Sequence, residues 1–241
     1  MNTISGPVAL IRKSLEIFSK KENFIYFFRI QAFLLPIALI SFIWGLILSF
    51  NSANLSESLS TNPVFIFLST GLGLINSLIY FFVAIASIEA VRRVLDNSTL
   101  SVREAFLVAK AKAWKFALMG ILKGIIILGG LLLLIIPGII FSVWYAFTGL
   151  EVVLNGAGVK ESLSKSKALV QGRFWPVLGR LFVVGIFVMI IQVIFTTFPY
   201  GLGNLMSPLF GILFLLPIYL LFKELEGRGQ VLGKASERDK A

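Results

Sequence analysis

Residues 114–155 read WKFALMGILKGIIILGGLLLLIIPGIIFSVWYAFTGLEVVLN. A hydrocarbon core ~30 Å thick takes roughly 20 residues of helix. This run is about twice that long, and Pro137-Gly138 breaks it near its middle. Proline lacks an N–H and disfavours helix at the residue before it, and glycine readily takes turn dihedrals. The stretch therefore predicts a tight hairpin of two membrane-spanning helices, with Pro137 and Gly138 as its structural turn.

The composition agrees. Of 241 residues, 57% are hydrophobic and only 14% are charged, fewer charges than a soluble domain of this size carries. Cysteine and histidine are absent. That excludes disulfides, thiol nucleophiles, imidazole bases and the usual zinc ligands. No catalytic residue, cofactor or metal site is expected. The net charge is +10. Because the charges flank apolar spans, anionic lipid headgroups are the expected counter-charge, and nucleic acid is not an expected partner. Residues 1–23 are amphipathic and basic and carry no signal-peptide pattern.

Working outward, the chain reads as six spans. Residues 4–20 place Ile4, Val8, Ile11, Leu15 and Phe18 on one face and predict a helix lying on the membrane surface. The first span is Phe24 to Phe50, and the second runs from Val64 to about Leu95. Ser101 to Lys112 reads as a short basic helix before the central hairpin, and Gly158 to Gln171 as a second one after it. The fifth span is Phe174 to Phe198. The sixth is Leu205 to Phe222, bent at Pro217. The fold class is thus all-α, a six-span bundle forming one domain over residues 1–226. Residues 227–241 read as a flexible charged tail.

Lysine and arginine are missing from the connections at 51–63, 137–138 and 199–204. The positive-inside rule then puts both termini in the cytoplasm of a bacterial cell membrane. The layout also repeats, as basic helix, span, outer turn, span, over residues 5–95, 101–155 and 158–226. Val102, Phe106, Ala109 and Ala113 share the four-three-four spacing of Val159, Leu163, Ser166 and Val170. Three like-oriented units predict a symmetry axis along the membrane normal.

The membrane charges follow the same plan. Lys123 and Glu151 lie symmetrically about Pro137, Arg29 and Glu89 about residue 59, and Arg180 and Glu224 about Leu202. Each base is thereby expected near the depth of its acid. An unpaired charge at the membrane centre costs roughly 2.5–3.5 kcal/mol, part of which pairing offsets. Lys123–Glu151 is the leading candidate pair, and the other two are weaker because those residues lie near the interface, where side chains snorkel. The polar groups in mid-span, Asn76, Gln192, Thr196 and Thr197, are expected to bond across helices as packing glue; the alternative is that they line a pathway, with Asn76 and Gln192 the candidates. The steps Gly120/Gly124 and Gly73/Ser77 predict close helix approach. Trp44, Trp114, Trp175 and Tyr200 read as interfacial anchors, whereas Trp144 sits deeper and is expected inside.

Two motifs carry a resemblance: Leu134-Ile135-Ile136-Pro137-Gly138-Ile139-Ile140, and Ser164-Lys165-Ser166-Lys167-Ala168-Leu169-Val170-Gln171-Gly172-Arg173-Phe174-Trp175. Residues 100–225 resemble bacterial multi-pass proteins of unknown function, related to the membrane domain attached to some glycerophosphoryl diester phosphodiesterases. Many members carry an acid near the end of the fourth span, where this chain has Asn155, with Glu151 one turn earlier. The resemblance implies a membrane bundle. It implies no phosphodiesterase activity, because that chemistry uses histidines. Two functions follow: a structural or regulatory membrane protein with a membrane-protein partner, or a transporter for a small or lipid-like solute.

Overall fold

The structure, a computed structural model, describes residues 4–50, 62–98, 101–198, 203 and 206–238. Most of the first outer loop, most of the turn at 199–204 and the side chain of Trp44 lie outside the described residues. The described residues are all helical or connecting. The helices are α1 (Pro7–Ser19), α2 (Lys21–Gln31), α3 (Leu35–Phe50), α4 (Pro63–Leu95), α5 (Val102–Leu133), α6 (Ile135–Trp144), α7 (Thr148–Leu154), α8 (Val159–Val170), α9 (Phe174–Thr196) and α10 (Gly211–Arg238). A 3-10 turn (Ala32–Leu34) joins α2 to α3, and another (Ser207–Phe210) precedes α10. Six segments are long and apolar enough to cross a membrane: Lys21–Ile43, Pro63–Leu95, Val102–Leu133, Ile135–Leu154, Phe174–Thr196 and Ser207–Arg228. The chain is a multi-pass membrane protein.

Local chemistry sets the helix ends. The Asn62 side chain accepts from the N–H groups of Val64 and Phe65, with Pro63 in the first helical position, where its missing donor costs nothing. Ser101 caps α5 by accepting from Glu104 N–H. From there the helix runs unbroken to Leu133, so the basic stretch Ser101–Lys112 is the first part of the third span and no separate helix. At its far end α10 continues to Arg238, where the sequence predicts a flexible tail; lysine, glutamate, glutamine and arginine in that stretch all favour helix.

The central hairpin exists, but its pivot is not Pro137. Leu134 takes an extended conformation (φ −164°, ψ 150°) and ends α5, while Pro137 sits in the first turn of α6. The first-turn N–H groups have no helical partner, so proline is tolerated there. Gly138 provides close approach: a Cβ there would lie 2.3 Å from the Leu131 side chain and 3.1 Å from its Cα. Gly130 faces it, 3.1 Å from Gly138 Cα by the same measure. The expected close steps at Gly73, Gly120 and Gly124 instead open onto free space. Gly138→Val is expected to overpack this crossing by about 1–3 kcal/mol, read as a lowered unfolding temperature in detergent. An unchanged value would mean the two helices do not meet there.

α5 packs antiparallel against both α4 and the α6–α7 arm. Phe81 meets Phe116 at 5.5 Å between ring centroids, and Gly149 lies against Phe116. The first part of α10 lies beside α4, sharing a space with Tyr80, Val83, Ser87 and Ile88, and Gly211 touches Gln31, which bonds Ser87. Near the middle of α10 Glu226 meets Asn155 at the end of α7. α10 forms the core: 56% of its span is buried, against 11–39% for the others. The three-unit symmetry expected from the sequence is not confirmed by this arrangement.

The helix α1 is docked on the bundle against α9 and α10, with Leu10, Ser14 and Phe18 buried. Val8 and Leu15, two residues of the expected apolar face, are exposed.

Candidate functional site

The candidate charges sit as follows. Glu89 is buried, 1% exposed, and accepts from Arg92 and from Arg93 (3.1 Å) one turn along its own helix. Arg29 is exposed and lies beside Tyr26, Val94 and Asn97 at a separate cavity. Gln31 and Ser87, two residues from each along the same helices, do meet (3.2 Å). Two residues along a helix rotate the side chain by about 200°, so when Gln31 faces Ser87, Arg29 and Glu89 face elsewhere.

Lys123 and Glu151 do not pair. The contacts Phe116–Gly149, Lys112–Val153 and Gly130–Gly138 are each centred within a residue of Leu133, not on Pro137. Moving the turn by about four residues shifts opposite positions by about eight, roughly 12 Å of helix. Glu151 is buried and accepts from Asn155 Nδ2 (2.8 Å), which also reaches Glu226 (3.1 Å). Lys112, on α5, donates to the Val153 carbonyl.

Arg180 and Glu224 converge without touching. Arg180 donates to the carbonyls of Ser5 and Ile4, both at 2.8 Å, and to Pro176 within its own helix. Glu224 accepts from the N–H (3.0 Å) and hydroxyl of the same Ser5. One serine ahead of α1 thus takes both charges, and that is how α1 is held to α9 and α10. Sequence reasoning passed over Ser5 because a lone serine before a helix carries no signal of a tertiary partner.

Trp144 is partly buried as expected: its carbonyl accepts from Ser166, and Lys167 lies 4.3 Å over its ring. Trp114 and Trp175 are exposed. The hydroxyls of Thr196 and Thr197 bond carbonyls of their own helix, not another one. Ser166 also accepts from Phe147 N–H, so α8 closes the break between α6 and α7.

On α8, outside the spans, Glu161 pairs with Lys165 (2.7 Å) and accepts from Gly158 N–H (3.0 Å). The Lys165 bond, then the Gly158 bond, hold Glu161 below its ordinary 4.5, and Glu161 raises Lys165 above 10.5. A depressed carboxylate stabilises the fold above its unfolded value and ceases to as pH falls through the folded one. A raised lysine stops contributing as pH rises through its folded value. The pair is fully exposed, so the effect is small. The unfolding temperature is expected to dip slightly on acidification through the carboxylate range, and Glu161→Gln to remove that part of the dip. An unchanged acid limb in the variant would show that the pair contributes nothing.

One cavity gathers uncharged polar groups. It measures about 360 Å³ and lies between α2, α4, α9 and the start of α10. Gln31 and Ser87 are buried at its floor, and Tyr80 and Gln192 are exposed at its rim. Gln192 lines it, whereas Asn76 does not. Gln31 escaped notice because it stands near the start of an apolar run, where polar groups are ordinary. Its Nε2 donates to Ser87 Oγ, which itself donates to the Val83 carbonyl, and this fixes the amide's orientation. The Gln31 carbonyl and second N–H are left without a partner among the described residues.

Residues 98–217 match the model of a domain of unknown function, DUF7847. The match takes in α5 to α9 and the first part of α10, but not Ser5, Gln31 or Ser87. Nothing in it links the chain to the phosphodiesterase membrane domain. No curated protein and no solved structure matches the chain.

Proposed function

We propose that the protein is a non-enzymatic structural or regulatory component of a bacterial cytoplasmic membrane, with both termini cytoplasmic. The observation that carries this reading is that the two buried carboxylates, and the half-buried Arg180 and Glu224, are satisfied by groups close by. Glu89 is held by Arg92 and Arg93, Glu151 by Asn155, and Arg180 and Glu224 by the Ser5 segment. A solute pathway needs charged or polar groups converging on one wet space, and the cavity beside Glu151 is lined, among the described residues, by neither Lys123 nor Asn76. Exposed bases on α1 and α8 suit anionic headgroups, and the exposed apolar spans suit lipid or a membrane-protein partner. The likeness between residues 102–113 and 159–170 fits descent from a repeated unit.

The test is complementation of a deletion strain scored for envelope integrity. Lys123→Ala and Glu151→Ala should complement as well as the wild-type chain. Failure of both, with normal protein levels, would instead assign them to a transport pathway. A reporter that is active only outside the cell, fused at the carboxyl end, should stay inactive.

A further inference from the structure

We infer that the cavity between α2, α4, α9 and the start of α10 binds an uncharged lipid bearing a free hydroxyl. The walls are apolar, built from Leu34, Val83, Ile88, Phe214 and Leu215, and no charged side chain lines the space, which excludes an anionic headgroup as the recognised feature. The floor presents one unused acceptor and one unused donor on the same amide, Gln31. A hydroxyl satisfies both with a single atom, while an ester or ether oxygen accepts only. Tyr80 of α4 and Gln192 of α9 line the cavity and are exposed, and both stand within membrane-spanning segments, so entry is from the lipid phase. At about 360 Å³ the space takes a head and the first part of a chain, with the remainder left in the bilayer.

The inference goes beyond the structural reading and stands without it. The test uses the full chain in lipid nanodiscs with a photoreactive diacylglycerol. Saturable labelling of peptides from α2, α4 or α9 is expected. Unlabelled diacylglycerol should compete about tenfold better than the same lipid with its hydroxyl methylated, one hydrogen bond's contribution. Gln31→Leu should abolish that preference, and Ala84→Phe, which fills the cavity, should abolish the labelling. Equal competition by the methylated lipid, a preference that survives Gln31→Leu, or the lack of saturable labelling would each overturn the inference. If Gln31→Leu is not monodisperse, Ala84→Phe and the methylated competitor decide.

Discussion

Glu89→Leu is expected to destabilise the protein by about 2–4 kcal/mol, the largest effect of any single change considered, with Glu89→Gln falling between it and wild type. The carboxylate is 1% exposed and neutralises two guanidiniums on its own helix, Arg92 and Arg93, whose side chains are 33% and 35% exposed. Removing one partner of a buried pair leaves the other charge uncompensated, at roughly 3–5 kcal/mol when both are dry. The arginines are partly wet and retain some solvation, which reduces the figure. Glutamine keeps one acceptor and loses the charge, hence its intermediate place. Chemical or thermal unfolding in detergent reads the effect. A shift too small to measure would mean that Arg92 and Arg93 are satisfied by headgroups and that the carboxylate is incidental.

Breaking the clasp on Ser5 should free α1 without unfolding the rest. Arg180→Met removes two bonds to the carbonyls ahead of the helix, and Glu224→Leu removes the acceptor for the Ser5 N–H and hydroxyl. Hydrogen bonds to charged groups contribute about 1.5–3 kcal/mol, so amide exchange across residues 7–19 should speed up by roughly ten- to a hundredfold in either variant. Both charges act through one serine, so the double variant should lose less than the sum of the singles. The remainder of the bundle should keep its protection, because α1 contributes only Leu10, Ser14 and Phe18 to the interior. Uniformly faster exchange in all helices would show that α1 is integral to the fold, and no change would show that the clasp does not hold it.

The errors of sequence reading here are geometric and of two kinds. Residues symmetric about residue 59 do meet, as Gln31–Ser87 shows, but counting residues along a helix does not fix which way a side chain points. At the central hairpin the direction of reversal was legible and its place was not. Proline is permitted within the first turn of a helix as well as at a break, so Pro137 marks the neighbourhood of the turn, and Leu134 is the turn. The contacts across the hairpin centre about four residues before Pro137, and that offset separates Lys123 from Glu151. The docking of α1 through Ser5 and the packing of α10 against α4 and α7 had no local signature at all.

Composition and span length were enough to read the chain as an all-α protein with six apolar spans, and its described residues are helical or connecting. In hydrocarbon each segment must satisfy its own backbone, so the cost of burial is settled segment by segment along the sequence. Which polar groups face one another was decided only by the tertiary structure. That depends on azimuth, crossing and register between helices, quantities shared by two segments and written in neither.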